Sequence, residues 1–146
     1  MAYWLIKSEP NSWSWDDQVR VGTEPWTGVR NHQAAKYMNA MTRGDRIFFY
    51  HSVQQKSIVG VVEVARTAYP DPTDDSHRFV CVDVKAVSAV QQPVSLSAIK
   101  SNPKLEHMPL LRQSRLSVCP VTEEEWDEIL HMAHGLAPQT SSGRPA

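Results

Sequence analysis

RIFFYH (Arg46–His51) and SIVGVVEVA (Ser57–Ala65) are the two runs on which the reading of this fold turns. Both are rich in β-branched and aromatic residues, which suit a pleated, half-buried surface. The polar connection containing VQQK is all that separates them, so they are expected to pair antiparallel as a hairpin. Gly60, inside the second run, predicts a bulge or a close backbone approach of the kind small barrels need at their bends. Phe79–Val87 alternates as a third core strand, with Phe79, Cys81 or Val82 and Val84 competing for the interior. Its valines fall on both parities, which predicts burial on both faces.

Working outward, Tyr3–Lys7 reads as a first strand ended by Pro10, whose ring removes a donor and restricts its neighbour. Ser14 and Asp17 have the spacing to cap a short helix over roughly Trp15–Val19. After a loop with Gly22, Pro25 and Gly28, Asn31 caps a helix through about Met41, stopped by Gly44. Ala34, Ala35, Met38 and Met41 share one face of that helix, while Lys36 and Asn39 point away. YPDPTDDSH (Tyr69–His77) is a turn-rich excursion. Pro93–Ser101 reads as a loop and short helix capped by Ser95 or Ser97, and Leu105–Leu111 as a short segment broken by Pro109. Arg115–Val118 reads as a last strand before Pro120. Thr122 and Glu125 form a capping box for an amphipathic helix whose inner side carries Trp126, Ile129, Leu130 and Ala133. This order of elements argues for a small barrel or strongly curved sheet flanked by helices. Residues 1–134 would form one domain, and 135–146 a flexible polar tail.

Composition narrows the function. A chain of 146 residues, 41% hydrophobic and 21% charged, supports one core and a folded state. Its apolar runs are too short to span a bilayer, so no membrane association is expected. MAYWLIKSEP lacks a small-residue cleavage pattern and reads as the first strand of the fold, which makes the cytoplasm the expected compartment. The net charge of −1 hides a segregation. Gly28–Arg46 carries four basic residues against Asp45, Ile99–Cys119 four against Glu106, and Thr122–His134 five acidic ones. One positive face fits a few phosphate contacts better than the wrapping of a long duplex, although ordinary solvated surface explains the charges equally well.

Among side chains able to carry chemistry, the five tryptophans stand out. Trp126 and Trp4 follow the apolar periodicity of their elements and are read as core. Trp26 lies between Pro25 and Gly28, off any regular period and just before a basic segment, where an indole face can stack on a base. Trp13 is less well placed. Gly28–Asn31 sets Arg30 and Asn31 at a helix start, where free backbone donors favour an anion or carbonyl; the plain reading is a cap and a solvated ion-pair partner. Tyr50, His51 and Ser52 end a hydrophobic strand, a place where small barrels build sites. His51 and Ser52 leave a strand on opposite faces and no GxSxG elbow is present, which argues against acyl transfer. Arg115 and Ser117 share a parity that faces cavity or solvent, with Leu116 and Val118 toward the core. Cys81 and Cys119 form no CxxC, and the histidines show no HExxH, so no metal or cofactor is expected.

Several of these segments occur together in one known family. YWLIKSEP (Tyr3–Pro10), WTGVRNHQA (Trp26–Ala34), GDRIFFYHS (Gly44–Ser52), IVGVVEV (Ile58–Val64), YPDPT (Tyr69–Thr73) and RLSVCPVT (Arg115–Thr122) resemble, in order, the EVE-domain proteins of the PUA-like superfamily and thymocyte nuclear protein group. The resemblance covers about Ala2–Leu130 and implies an α+β fold, a PUA-like small mixed β-barrel with flanking helices. It also implies kinship with YTH modules, which read methylated adenine in RNA, and a non-enzymatic role: binding nucleic acid that carries a modified base, notably modified cytosine in DNA or a base in modified RNA. By motif, Trp26, Arg30 and Asn31 would form the rim or wall of an aromatic and polar pocket. Tyr50, His51 and Ser52 would line its strand side, and Ser8, Glu9, Arg115, Leu116 and Ser117 would border it. His32 stands where the family often has tyrosine, which would exchange stacking for hydrogen bonding. A monomer is expected. The rival readings are an enzyme acting on a modified base or nucleotide through His51 or Glu9, and a protein-interaction adaptor using the positive face.

Overall fold

The computed structural model describes residues 1–134; the polar tail expected over 135–146 lies outside the described residues. Six strands form a single mixed sheet: β1 (Tyr3–Ser8), β2 (Thr23–Pro25), β3 (Arg46–His51), β4 (Ser57–Pro70), β5 (Val80–Ser95) and β6 (Val118–Val121). Their order is β2-β5-β4-β3-β1-β6. Only β1 and β3 run parallel, with Trp4 opposite Ile47 and Ile6 opposite Phe49. The helices are α1 (Trp15–Val21), α2 (His32–Ala40), α3 (Leu96–Lys100), α4 (Pro109–Arg112) and α5 (Glu123–Ala133).

The closed PUA-like β-barrel implied by the resemblance is corrected here. The sheet is open, with β2 and β6 as free edges that do not pair with each other. Both edges are short and each contains a proline, Pro25 and Pro120, which lacks an N–H to extend a ladder. Helix α2 packs on β4, β5 and the edge strand β6.

The hairpin of Arg46–His51 with the following run is present; β3 keeps the expected bounds, while β4 runs on past Ala65 to Pro70 and β5 past Val87 to Ser95. Together β4 and β5 form a long antiparallel arm with repeated register shifts. Gly60 sits at one of these and also meets the expectation of a close approach: a Cβ there would lie 2.5 Å from the Trp15 ring. The interior is built from Leu5, Ile6, Ile47, Phe48, Phe49, Ile58, Val62, Val64, Val82 and Val84, sealed below by Met38 and above by Trp126 and Ile129. Trp126 stacks on Phe48 at 3.8 Å between ring centres, as its helical period predicted.

Capping chemistry accounts for the helix starts. Ser14 and Asp17, and Thr122 and Glu125, form reciprocal boxes, and Asn31 Oδ1 accepts from the Ala34 N–H at 2.9 Å. Of the two serines expected to cap α3, it is Ser95 that does so. α2 ends at Ala40, and Gly44, with φ +91°, serves the turn that follows. The last strand begins at Val118, not Arg115, and runs through Pro120. An edge strand tolerates this because the missing donor faces away from β1.

Candidate functional site

A cavity of about 400 Å³ opens beside the free edge at β2. One wall is the segment Glu24–Asn31; the other is Lys7, Ser8 and Glu9 at the end of β1, with Trp13 and Ser117. Trp26 is held by its backbone N–H, which donates to the Val82 carbonyl at 2.7 Å. Its half-buried indole packs edge-on against Phe49, with 5.7 Å between ring centres. The ring is therefore fixed by the core and still lines open space.

The loop after Trp26 is latched by a residue that the sequence reading passed over. Asp71, from the YPDPT segment, accepts from the Gly28 N–H at 2.8 Å, the Arg30 guanidinium at 3.0 Å, and the N–H and hydroxyl of Thr73 at 2.7 and 2.6 Å. Burial pushes its carboxyl pKa up, but the bonds from Thr73, Gly28 and Arg30 more than offset this and hold it at about 2. Gly28 has φ +86°, a conformation that glycine adopts without strain, which lets its N–H face this carboxylate. In the sequence Asp71 is a member of a turn-rich stretch and of the YPDPT segment; nothing local announces its burial.

The opposite wall rests on a second buried polar residue, Gln18, which is wholly inaccessible. Its Oε1 accepts from the Trp13 indole N–H at 2.9 Å, and its amide donates to the Gly22 and Val84 carbonyls at 3.0 and 3.2 Å. The Ser8 hydroxyl donates to the Trp13 carbonyl. Lys7, half-buried, donates to the Ser114 carbonyl at 2.8 Å, and burial lowers its ammonium pKa below the ordinary lysine value. The cavity thus offers two indoles, one half-buried ammonium, two carboxylates (Glu9 and Glu24) and the Asn31 amide.

Of the twelve residues singled out from the sequence, Ser8, Glu9, Trp26, Arg30, Asn31 and Ser117 come together here. The others lie elsewhere. Tyr50 and Ser52 line a second cavity of about 410 Å³ with Lys56, Leu96 and Leu110, which adjoins the first at Lys7. Arg115 and buried Leu116 border a third depression that shares Asn31 with the first. His32 is the first residue of α2, its ring 5.0 Å from that of Phe79. His51 is buried: Nε2 accepts from the Trp15 N–H at 3.0 Å, and Nδ1 lies 2.7 Å from Gln55 Oε1. Both ring nitrogens are engaged within the fold, which removes His51 as a general acid or base. Among the described residues no group of His, Cys, Asp or Glu is arranged to hold a metal ion, and no helix is long and apolar enough to cross a membrane.

The sequence matches the EVE domain over residues 2–132. The chain belongs to the EVE-domain family. Thymocyte nuclear protein 1 of Rattus norvegicus is 35% identical over 164 residues, spanning 89% of this chain and 73% of that protein. An NMR structure of a protein from Rhodopseudomonas palustris superposes with a TM-score of 0.88 at 56% identity, covering 94% of this chain and 96% of that one. A crystal structure of human THYN1 protein in complex with 5-methylcytosine-containing DNA superposes with a TM-score of 0.84 at 30% identity, covering 91% and 98%. These EVE relatives also correct the compartment: the thymocyte proteins are named as nuclear, and the cytoplasmic expectation is withdrawn.

Proposed function

We propose that this EVE-domain protein is a non-enzymatic reader of modified cytosine in DNA, and that the extruded base enters the cavity beside Trp26. The observation that carries this reading is a preformed hollow of about 400 Å³ in which two tryptophans meet a few polar groups. That is the composition of a small-ligand site. Its similarity to human THYN1 protein, solved with 5-methylcytosine-containing DNA, supports both the base and the DNA partner.

The indole of Trp26 stacks on the base, a contact worth about 1–3 kcal/mol. This offsets part of the few kcal/mol lost when a nucleotide leaves the duplex stack. Cytosine presents an exocyclic amine donor, which a carboxylate accepts; Glu9 and Glu24 supply candidates on opposite walls. Asn31 spends its side-chain oxygen on the helix cap, leaving its amide N–H groups for a carbonyl of the base. A 5-methyl group seated against Pro25 or buried Val29 gains roughly 0.8 kcal/mol. The Ser8 hydroxyl, one candidate nucleophile in the cavity wall, is committed to the Trp13 carbonyl.

Matched DNA oligonucleotides with cytosine or 5-methylcytosine at one position, titrated into wild type and Trp26→Ala, test the reading. Wild type is expected to favour the methylated strand, and Trp26→Ala to lose that preference with at least a five-fold fall in affinity. Indistinguishable binding of both strands by both proteins sinks it. Mass spectrometry of the strands after incubation is expected to show no change, which separates a reader from an enzyme.

A further inference from the structure

Arg30, the arginine nearest to Trp26, is the least available to a ligand, because Asp71 and Thr73 already hold its guanidinium. Arg112 and Arg115, on the neighbouring surface, are not held in this way by a carboxylate among the described residues. A depression of about 320 Å³ abuts the cavity, with Asn31 in the wall common to both. It is lined by Gln33, Arg112, Gln113, Ser114 and Arg115, and among the described residues no carboxylate borders it. Among the described residues neither Arg112 nor Arg115 forms an ion pair. Arg112 Nε donates to the Glu106 carbonyl at 2.9 Å, which steadies the side chain and leaves its terminal nitrogens unused.

We infer that this groove binds a backbone phosphate of the DNA strand whose base occupies the neighbouring cavity, through Arg112 and Arg115. The inference rests on the base-reading role proposed for that cavity. A nucleotide carries its phosphate one sugar away from its base, so a base site needs an anion site at its rim. The chain supplies both from one stretch: Arg112 and Arg115 face the groove and Ser117 lines the cavity. Guanidinium groups match the paired non-bridging oxygens of a phosphodiester in charge and geometry. The polar amides and hydroxyl beside them add neutral donors without sequence preference. Division of labour follows: the groove supplies affinity and register, and the cavity supplies discrimination.

The test measures binding of methylated and unmethylated oligonucleotides against salt concentration for wild type, Arg112→Ala, Arg115→Ala, the double variant and Trp26→Ala. Both arginines are exposed, and thermal melts are expected to match wild type. Each single substitution should weaken both oligonucleotides alike, by about three- to ten-fold, and reduce the slope of log K against log salt by about one. The ratio of methylated to unmethylated affinity should stay at its wild-type value. Arg112→Lys and Arg115→Lys should retain the slope and recover part of the affinity. Wild-type affinity and slope in the double variant would overturn the inference; if Trp26→Ala has meanwhile lost its preference, the base cavity stands without it. A reduced slope in the double variant beside an unaltered Trp26→Ala would instead keep the arginines on DNA and remove the cavity.

Discussion

The carboxylate of Asp71 lies 3.0 Å from the guanidinium of Arg30, with the aspartate side chain wholly removed from solvent and the arginine 39% exposed. Two loops far apart in sequence, one bearing Trp26 and one bearing the YPDPT turn, are joined at this point. The pair therefore supports the geometry of the cavity wall that carries Trp26. Asp71→Asn is expected to lower stability by about 2 kcal/mol, since buried donors lose a charged acceptor. It should also weaken base binding without changing the salt slope. Denaturant unfolding and oligonucleotide titration measure the two effects.

The same carboxylate sets an acid limit. Its folded-state value of about 2 lies below the ordinary 3.8, so its contribution is complete above the unfolded value and disappears as pH falls through the folded one. Wild type and Asp71→Asn should differ in Tm by a constant amount near neutrality, and the two curves should converge between about pH 4 and pH 2. Scanning calorimetry across that range checks this; a gap that persists at the acid end would place the stabilisation elsewhere.

Gln18 satisfies three partners in a spot closed to water. Gln18→Ala should cost about 2–3 kcal/mol, from lost volume and stranded polar atoms. It should also release the Trp13 indole, raising the mobility of that ring in fluorescence anisotropy. Gln18→Leu, which refills the volume but not the bonds, should recover stability more than ring order.

Gly60 and Trp15 form a contact that no Cβ can enter. Gly60→Ala should destabilise the fold by about 1–3 kcal/mol through overpacking. Pairing it with Trp15→Leu should return less than the sum of the two single costs, because the smaller side chain removes the clash. A double-mutant cycle by chemical denaturation gives the coupling, and strict additivity would contradict the contact.

His51→Ala should lower stability by about 1–2 kcal/mol, because the Trp15 N–H at the start of α1 loses its acceptor. Affinity for methylated DNA, measured well below Tm, should be unaltered. A large selective loss of binding would return His51 to the site.

Both cysteines are buried, and burial pushes the Cys119 thiol up to about 12. Because the thiolate is the reactive form, neither should react with a maleimide in the native state at neutral pH. Labelling should appear only with unfolding, which mass spectrometry along a denaturant series will show.

Taken by itself, the sequence determined what short-range physics can encode. Density of β-branched and aromatic residues marked RIFFYH and its partner as core strands, the period of the last helix placed Trp126 inside, and Asn31 and Thr122 named the caps because capping is decided within four residues. Family resemblance brought Trp26, Asn31, Ser8, Glu9 and Ser117 into one group, and they do line one cavity. Only the tertiary structure decided what depends on residues distant along the chain. Whether the sheet closes depended on whether its two short proline-bearing edges meet, and they do not. The company kept by Arg30, the burial of Asp71 and Gln18, and the separation of Tyr50 and Ser52 from Trp26 were settled by long-range contacts. Polar residues in a turn or on a short helix carry no local mark of desolvation, because that property belongs to the neighbours folding brings against them.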